Sequence, residues 1–556
     1  MLKDIDPDSI QDPAGARQTI RILLNLVETS KQENDLLKEE VQRLKDEINR
    51  LKGEQGKPDI KPKKNKSKST NYSSEKERRK KKKRKKSSKL GKIEINDIRK
   101  CEVDHEILPT DAQFKGYKEV VVQDIVFKPN NIKFCKKVYY SPSENKTYLA
   151  ELPEGYDGEF GPGIKALVLT LYFDANISEA KILDLLHNAG IVISAGKVSN
   201  LLIKKQERFH EEKNAVYEAG LSSTVWQNID DTGTRVNGQN QYCQIVCNPF
   251  YTAYFTTEDK SRLSVIDVLR NSKERVFLLN SETFSYLTLF KVSQKVVTPL
   301  ASLPQNQELS EQEFIKLLAE HIPKLGPLQK KRILDAAAIA AYRNQAKFPW
   351  ALSSVVRLLI CDDAPQFKLI TEDLALCWVH DGRHYKKLTP FISYNCKLVD
   401  TFLTRYWDFY DQLLEYKKDP TLKDKVILEM KFDELFSTVT GYDALDERIS
   451  KTREKKAALL MVLDHPEIPL HNNSAELGAR TRVRKRDVSF GPRTADGIKA
   501  WDTFMTLAAT AKKLKINFYQ YIYDRISQTY SMPSLSAVIK DRAQDAQLGT
   551  SWLPSS

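Results

Sequence analysis

A run of positive charge near the amino end limits what this chain can become. Between Lys57 and Lys92 there are 18 Lys or Arg residues against Asp59, Glu75 and Glu77, and the densest part, Lys76 to Lys86, reads KERRKKKKRKK. Like charges at this density repel, and almost no apolar side chain is present to bury, so residues 54–92 are expected to be disordered. The chain therefore cannot close into one globule across this stretch. Setting the run aside leaves 70 basic and 71 acidic residues, so the net charge of +14 belongs to this segment and the rest is balanced. Its expected partner is a phosphate backbone, contacted by Lys76, Arg78, Arg79, Lys80, Lys81 and Arg84; a nuclear-import signal or a solvated linker would have the same composition.

Ahead of the charged run lies a heptad pattern. With Ile20 at position a, the a positions are Ile20, Val27, Asn34, Val41 and Ile48, and the d positions are Leu23, Ser30, Leu37, Leu44 and Leu51. Branched residues at a with Leu at d favour a parallel two-stranded coiled coil over residues 15–53, and Asn34 would fix its register by meeting its twin. The chain is thus expected to be a homo-oligomer, at least a dimer. The other reading, a single helix packed on its own domain, is opposed by Gly53, Pro58, Pro62 and the charged run, which separate the helix from any core.

The body is large. A chain of 556 residues, 41% hydrophobic, has length for three to four folding units at roughly 150 residues each, which excludes a disulfide miniprotein. The most apolar stretch, Ile164 to Phe173, is too short to cross a membrane. The start, Met1-Leu2-Lys3-Asp4-Ile5-Asp6, lacks the basic-then-apolar run of a signal peptide, and the seven cysteines are scattered, so a reducing, cytoplasmic setting is expected. Alternation in Tyr117–Val122 and Ile132–Tyr140 predicts a small β-rich module over 93–153. Its Cys101, His105 and Cys135 do not make a four-ligand zinc site. Over 154–220, a helix from Ile177, a turn at Gly190 and a second helix opened by Ser194 have the shape of a helix-turn-helix, though many such pairs only pack.

Three acidic clusters stand at element ends. Asp230-Asp231 closes the strand-like Val225–Ile229, ahead of two more strand candidates, Tyr242–Cys247 and Tyr251–Thr257. Asp362-Asp363 closes Val355–Cys361, whose continuous apolar run suits a strand buried on both faces. Glu476 follows His471-Asn472-Asn473-Ser474-Ala475 and leads into a helix bearing Arg480, Arg482, Arg484, Lys485 and Arg486. Each cluster has a structural alternative: strand-end aspartates cap turns, and Glu476 could complete a capping box with Asn473 as N-cap. Together, carboxylates from a first strand, a fourth strand and a later helix are what a ribonuclease H-like α/β sheet uses to hold two divalent ions, Mg²⁺ or Mn²⁺, for phosphodiester chemistry. Arg480 and Arg484 recur on the face of Glu476 and, with Lys485, are expected to contact phosphates.

At these residues the sequence resembles the DDE transposases of bacterial insertion sequences, specifically the insertion-sequence sixty-six family. The resemblance rests on Asp230-Asp231-Thr232, Cys361-Asp362-Asp363, Cys377-Trp378-Val379-His380-Asp381-Gly382-Arg383-His384-Tyr385 and His471-Asn472-Asn473-Ser474-Ala475-Glu476-Leu477, in that order across roughly 150–525, and on the zipper-like amino end. It implies a catalytic domain over 221–525 with Asp230, Asp362 and Glu476 as catalytic metal ligands. A long stretch, 271–350, lies between the first two acids, a helical insertion is expected near 386–464, and 526–556 is left as a tail. It implies that the enzyme cuts the terminal inverted repeats of a DNA element and that the freed 3′-hydroxyl attacks target DNA, in the bacterial nucleoid, with small accessory proteins from the same element.

The sequence departs from that family in several places. The family's zinc-finger cysteines are missing near 95–140, Asp363 replaces Gly, His471 replaces Asp, and Leu477 replaces Arg. Cys377 and His380 alone are too few for a metal site, and packing beside Asp362 is their expected role. Two other functions fit the same residues: a non-catalytic DNA-binding protein, domesticated or decayed, and a metal-dependent nuclease without strand transfer.

Overall fold

The computed structural model describes residues 12–51, 93–101, 103, 112–125, 127–156, 158–345, 355–546, 548–549 and 551. The basic contacts expected at Lys76, Arg78, Arg79, Lys80, Lys81 and Arg84 lie outside the described residues. The fold is mixed α/β, with a mixed five-stranded sheet at its centre. Among the described residues no helix is long and apolar enough to cross a membrane.

The heptad segment is one helix, α1 (Pro13–Leu51). Its seam positions Val27, Leu37, Val41, Leu44 and Ile48 are all exposed, and Asn34 uses its amide on the Ser30 carbonyl of its own helix. The opposite side is docked. Glu28, only 2% exposed, accepts the backbone N–H groups of Phe391 and Ile392, and Asn25 donates to the Gly441 carbonyl at 3.1 Å. Asn25 and Glu28 occupy f and b positions of the heptad, facing away from a and d. The charged run was expected to keep this helix off the body, yet polar contacts from its outer face attach it there while the apolar seam stays open.

The β-rich expectation for 93–153 is corrected. Among the described residues, only Val138–Ser141 and Lys146–Leu149 pair, as an antiparallel hairpin, and those of 93–137 carry no regular element. Val120 and Val122 are exposed. Alternation stabilises a strand only where a neighbouring strand takes its hydrogen bonds and a core takes its apolar face.

The segment after it is helical: α2 (Pro162–Phe173), α3 (Glu179–Asn188), α4 (Ala195–Ile203) and α5 (Glu207–Leu221). Gly190 has φ +81 in the turn after α3, and Ser194 caps α4 by accepting the Lys197 N–H at 3.2 Å. Val198 and Leu202 turn inward and are buried.

The central sheet comprises β1 (Trp226–Val236), β2 (Gln239–Cys247), β3 (Thr252–Thr257), β4 (Leu358–Cys361) and β5 (Asp373–Leu376), in spatial order β3-β2-β1-β4-β5. The first three are antiparallel, and β4 and β5 run parallel to β1. All four residues of β4 are buried, as its apolar run predicts. The long stretch between β3 and β4 is folded: the alanine-rich helix Pro327–Gln345 packs on a short antiparallel strand pair, Val276–Leu278 with Glu308–Ser310.

After β5 come α6 (Trp378–Lys387) and a helical block that begins with α7 (Ser393–Tyr416), as the 386–464 insertion predicts. Trp378 is the plug joining block to sheet: its ring contacts Tyr406, Phe409 and Phe432, and its indole N–H donates to the Leu459 carbonyl. The last layer is α8 (Asn473–Ser489) and α9 (Ala495–Lys513). Along α9, Thr510, Thr506 and Asp502 accept the outward N–H groups of Thr252, Tyr254 and Thr256, which satisfies the open edge of β3. The carboxyl-terminal tail contains a folded helix, Leu535–Ala546, that buries Leu535 and Ile539 against α5.

Candidate functional site

Strand register brings the first two acids together. β1 and β4 pair Trp226 with Leu358, Gln227 with Leu359 and Asn228 with Ile360. Asp230 lies on β1 two residues past that pairing and Asp362 directly follows the last residue of β4, so the register brings the two acids to the same end of neighbouring parallel strands, and the charge of Asp362 bears on Asp230. α8 packs across β1 at this end. Asn228, in phase with Asp230, donates to Asn472 Oδ1 at 2.9 Å, and a Cβ added to Gly478 would stand 2.8 Å from Ile245, the cross-strand partner of Asp230. The neighbours of Asp230 and Asp362 are held by other groups: Asp231 accepts from Gln366 at 2.6 Å, and Asp363 pairs with Lys368 at 2.6 Å and Lys455 at 2.5 Å.

Glu476 joins from α8, and the capping-box alternative is overturned. The helix begins at Asn473, so Glu476 is its fourth residue, and the residue in the cap position is Asn472. Asn472 is buried and ties three elements together: its amide donates to the Ile229 carbonyl at 2.7 Å, and its backbone N–H donates to Cys377 Sγ at 3.2 Å. Sequence reasoning passed over Asn472 in favour of its neighbour, although a polar residue just outside a helix start is the available signal. The Glu476 carboxylate lies 3.0 Å from Arg383 Nη2 and 3.3 Å from His380 Nδ1. The three-residue spacing of His380 and Arg383 in α6 puts both on one helix face.

The electrostatics of the acids differ. Burial, together with the charges of Asp362, Asp231 and Glu476, pushes Asp230 up to about 7, against the opposing hydrogen bond from the Asp231 N–H. Burial also acts to raise Glu476, but His380 and Arg383 outweigh it and hold the carboxyl at about 2. His380, in contact with Cys377 and Glu476, is lifted to about 10. A buried carboxyl raised by other carboxyls is a place where a cation is favoured. Beside the acids is a cavity of about 510 Å³ lined by Asp362, Asp363, Cys377, His380, Arg383 and Lys455. The pair Cys377 and His380, expected only to pack, has Glu476 as a third neighbour: their ligand atoms and a Glu476 oxygen all lie within 4.8 Å of one another.

The basic helix divides by helical phase. Arg480 and Arg484 are exposed. Lys485 is a correction: it is 1% exposed, its Nζ donates to the Tyr172 carbonyl at 2.6 Å and to Ser489 at 3.1 Å, and it stands over the Tyr172 ring. Ala475, Gly478, Ala479, Arg482 and Lys485 form the buried stripe of α8, so Lys485 cannot reach a phosphate. A larger cavity, about 1370 Å³, adjoins α2, α4 and α5 and is lined in part by Lys165, Lys197, Lys204, Lys205, Arg208 and Arg525, together with glutamates.

No family model matches the chain. It is 31% identical over 327 residues, 58% of its length, to the uncharacterized protein y4jO of Sinorhizobium fredii, of which the match covers 99%.

Proposed function

We propose that this chain, which belongs to the family of the Sinorhizobium fredii protein y4jO, is a DDE transposase with a ribonuclease H-like core. The observation that carries this reading is that Asp230 and Asp362, at the same end of adjacent parallel strands, lie close enough to each other and to Glu476 for the charges of both to act on Asp230. Acids on the first and fourth strands of a five-stranded sheet and on a later helix are the arrangement the reading requires. The donors are hard oxygens, and Asp230 is raised by burial and, in smaller part, by its acidic neighbours, both of which a cation would offset, so the residues fit Mg²⁺ or Mn²⁺. Two such ions, when bound, would supply an activated nucleophile and stabilise the leaving oxygen.

The remaining steps belong to side chains. Glu476 must exchange its contact with Arg383 before it can ligate, and the released guanidinium can then hold a phosphate of the DNA. Arg480 and Arg484 extend that phosphate track along α8, and the basic lining beside α4 supports a second DNA contact by the helix pair. The open seam of α1 supports pairing with a second copy.

The test is cleavage of labelled DNA carrying the element's terminal inverted repeats, with Mg²⁺, followed by a search for products joined to target DNA. Cut and joined products are expected. Cutting without joining would make the protein a nuclease, and binding without cutting would leave it a DNA-binding protein.

A further inference from the structure

Cys377, His380 and Glu476 converge in a way that the carboxylate chemistry leaves unexplained. Cys377 caps α6, His380 stands in the first turn of that helix, and Glu476 is near the start of α8. The sulfur is buried and accepts two backbone N–H groups, from His380 at 3.4 Å and from Asn472 at 3.2 Å. His380 Nδ1 is closed off from solvent and lies 3.3 Å from Glu476 Oε1, an ion-pair contact whose angle is not that of a hydrogen bond. Arg383 engages the other carboxylate oxygen, Oε2, which leaves Oε1 facing the sulfur and the ring.

We propose that Cys377, His380 and Glu476 bind one borderline divalent cation, Zn²⁺ foremost. Zn²⁺ accepts a thiolate, an imidazole and a carboxylate together, whereas Mg²⁺ prefers oxygen and would use only the carboxylate of this set. Three protein ligands leave a fourth position open, and the adjoining cavity of about 510 Å³ has room for a water there. The site shares Glu476 with the proposed Mg²⁺ group. Zn²⁺ held here takes that carboxylate, so the two metals exclude each other at this oxygen.

The experiment is titration of the metal-stripped full-length protein with Co²⁺ as the spectroscopic stand-in for Zn²⁺, without DNA or Mg²⁺. One equivalent is expected to give a near-ultraviolet sulfur-to-cobalt charge-transfer band that Zn²⁺ abolishes by displacement. Cys377→Ser should lose the band with its circular dichroism unchanged. His380→Gln and Glu476→Gln should keep the sulfur but loosen binding by about tenfold or more, at least what loss of an outer-shell partner costs. No sulfur band in the parent overturns the proposal, and so does a band that persists in Cys377→Ser, whose source would then be the exposed Cys101 or Cys135. If Cys377→Ser misfolds, unchanged affinity in both other variants overturns it. Because binding is read without DNA, failure here bears on the metal site and leaves the transposase reading standing.

Discussion

The two sides of α8 bear the same chemistry and put it to opposite uses. On the outer side, Glu476 stands at the acidic rim and Arg480 and Arg484 are exposed. On the inner side, Arg482 and Lys485 are both 1% exposed: Arg482 lies 3.3 Å from Asp502 and donates to Thr256, while Lys485 sits against Tyr172. Two residues along a helix move a side chain through about 200°, so residue type says little about use and helical phase decides it. The strand ends divide in a similar way. Asp230 and Asp362 accept backbone N–H groups from Asp231 and Ala364, whereas Asp231 and Asp363 take Lys260, Lys368 and Lys455.

The largest expected effect sharpens the strand half of this comparison. Asp230→Asn, Asp362→Asn and Glu476→Gln should each lower Mg²⁺-dependent DNA cleavage by on the order of a thousandfold or more while leaving DNA binding in place. Asp231→Asn and Asp363→Asn remove the same charge one residue away and should keep most activity, with stability changed by about 1 kcal/mol or less. Gel assays of the five variants decide it, since comparable loss in all five would mean that charge alone matters.

Next in size is the inner face of α8. Arg482→Ala leaves Asp502 buried without its cation and should cost about 3–5 kcal/mol in chemical denaturation. A loss below about 1 kcal/mol would break the claim that this arginine belongs to the core.

Lys485 gives a pH-dependent effect. Burial lowers its pKa to about 7 in the fold, whereas the unfolded chain titrates near 10.4. Between those values the unfolded state binds the extra proton, so stability contributed by this residue rises as pH goes from about 7 to about 10 and is flat outside that window. Lys485→Met should remove that rise, seen as parallel denaturation midpoints at both ends of the range. A rise that survives in the variant would assign it elsewhere.

The smallest effects belong to the outer arginines. Arg480→Ala and Arg484→Ala should leave stability within about 0.5 kcal/mol of the parent and each reduce the salt dependence of DNA binding by a slope of about 0.9. An unchanged slope in a salt titration would remove them from the phosphate track.

Much of the site was legible because its residues sit where local pattern is strong. The apolar run into Asp362 marks a strand buried on both faces, and β4 is one. Tyr117–Val122 shows the limit, since it alternates as a strand would and has no partner to pair with among the described residues. The heptad fixed which side of α1 is apolar, but the docking of Glu28 on Phe391 and Ile392 joins residues 363 and 364 positions apart, and no local pattern contains it.

The sequence by itself determined the acids, their strand and helix contexts, the seam of α1 and the balance of charge, because spacing and side-chain type act within a few residues. Only the tertiary structure decided that Asn472 ties β1 to α6 and α8, that Arg383 and His380 hold Glu476, and that Lys485 is a core residue. Each depends on which face of one element meets another, and that is set by sheet register and helix phase summed over segments more than 90 residues apart.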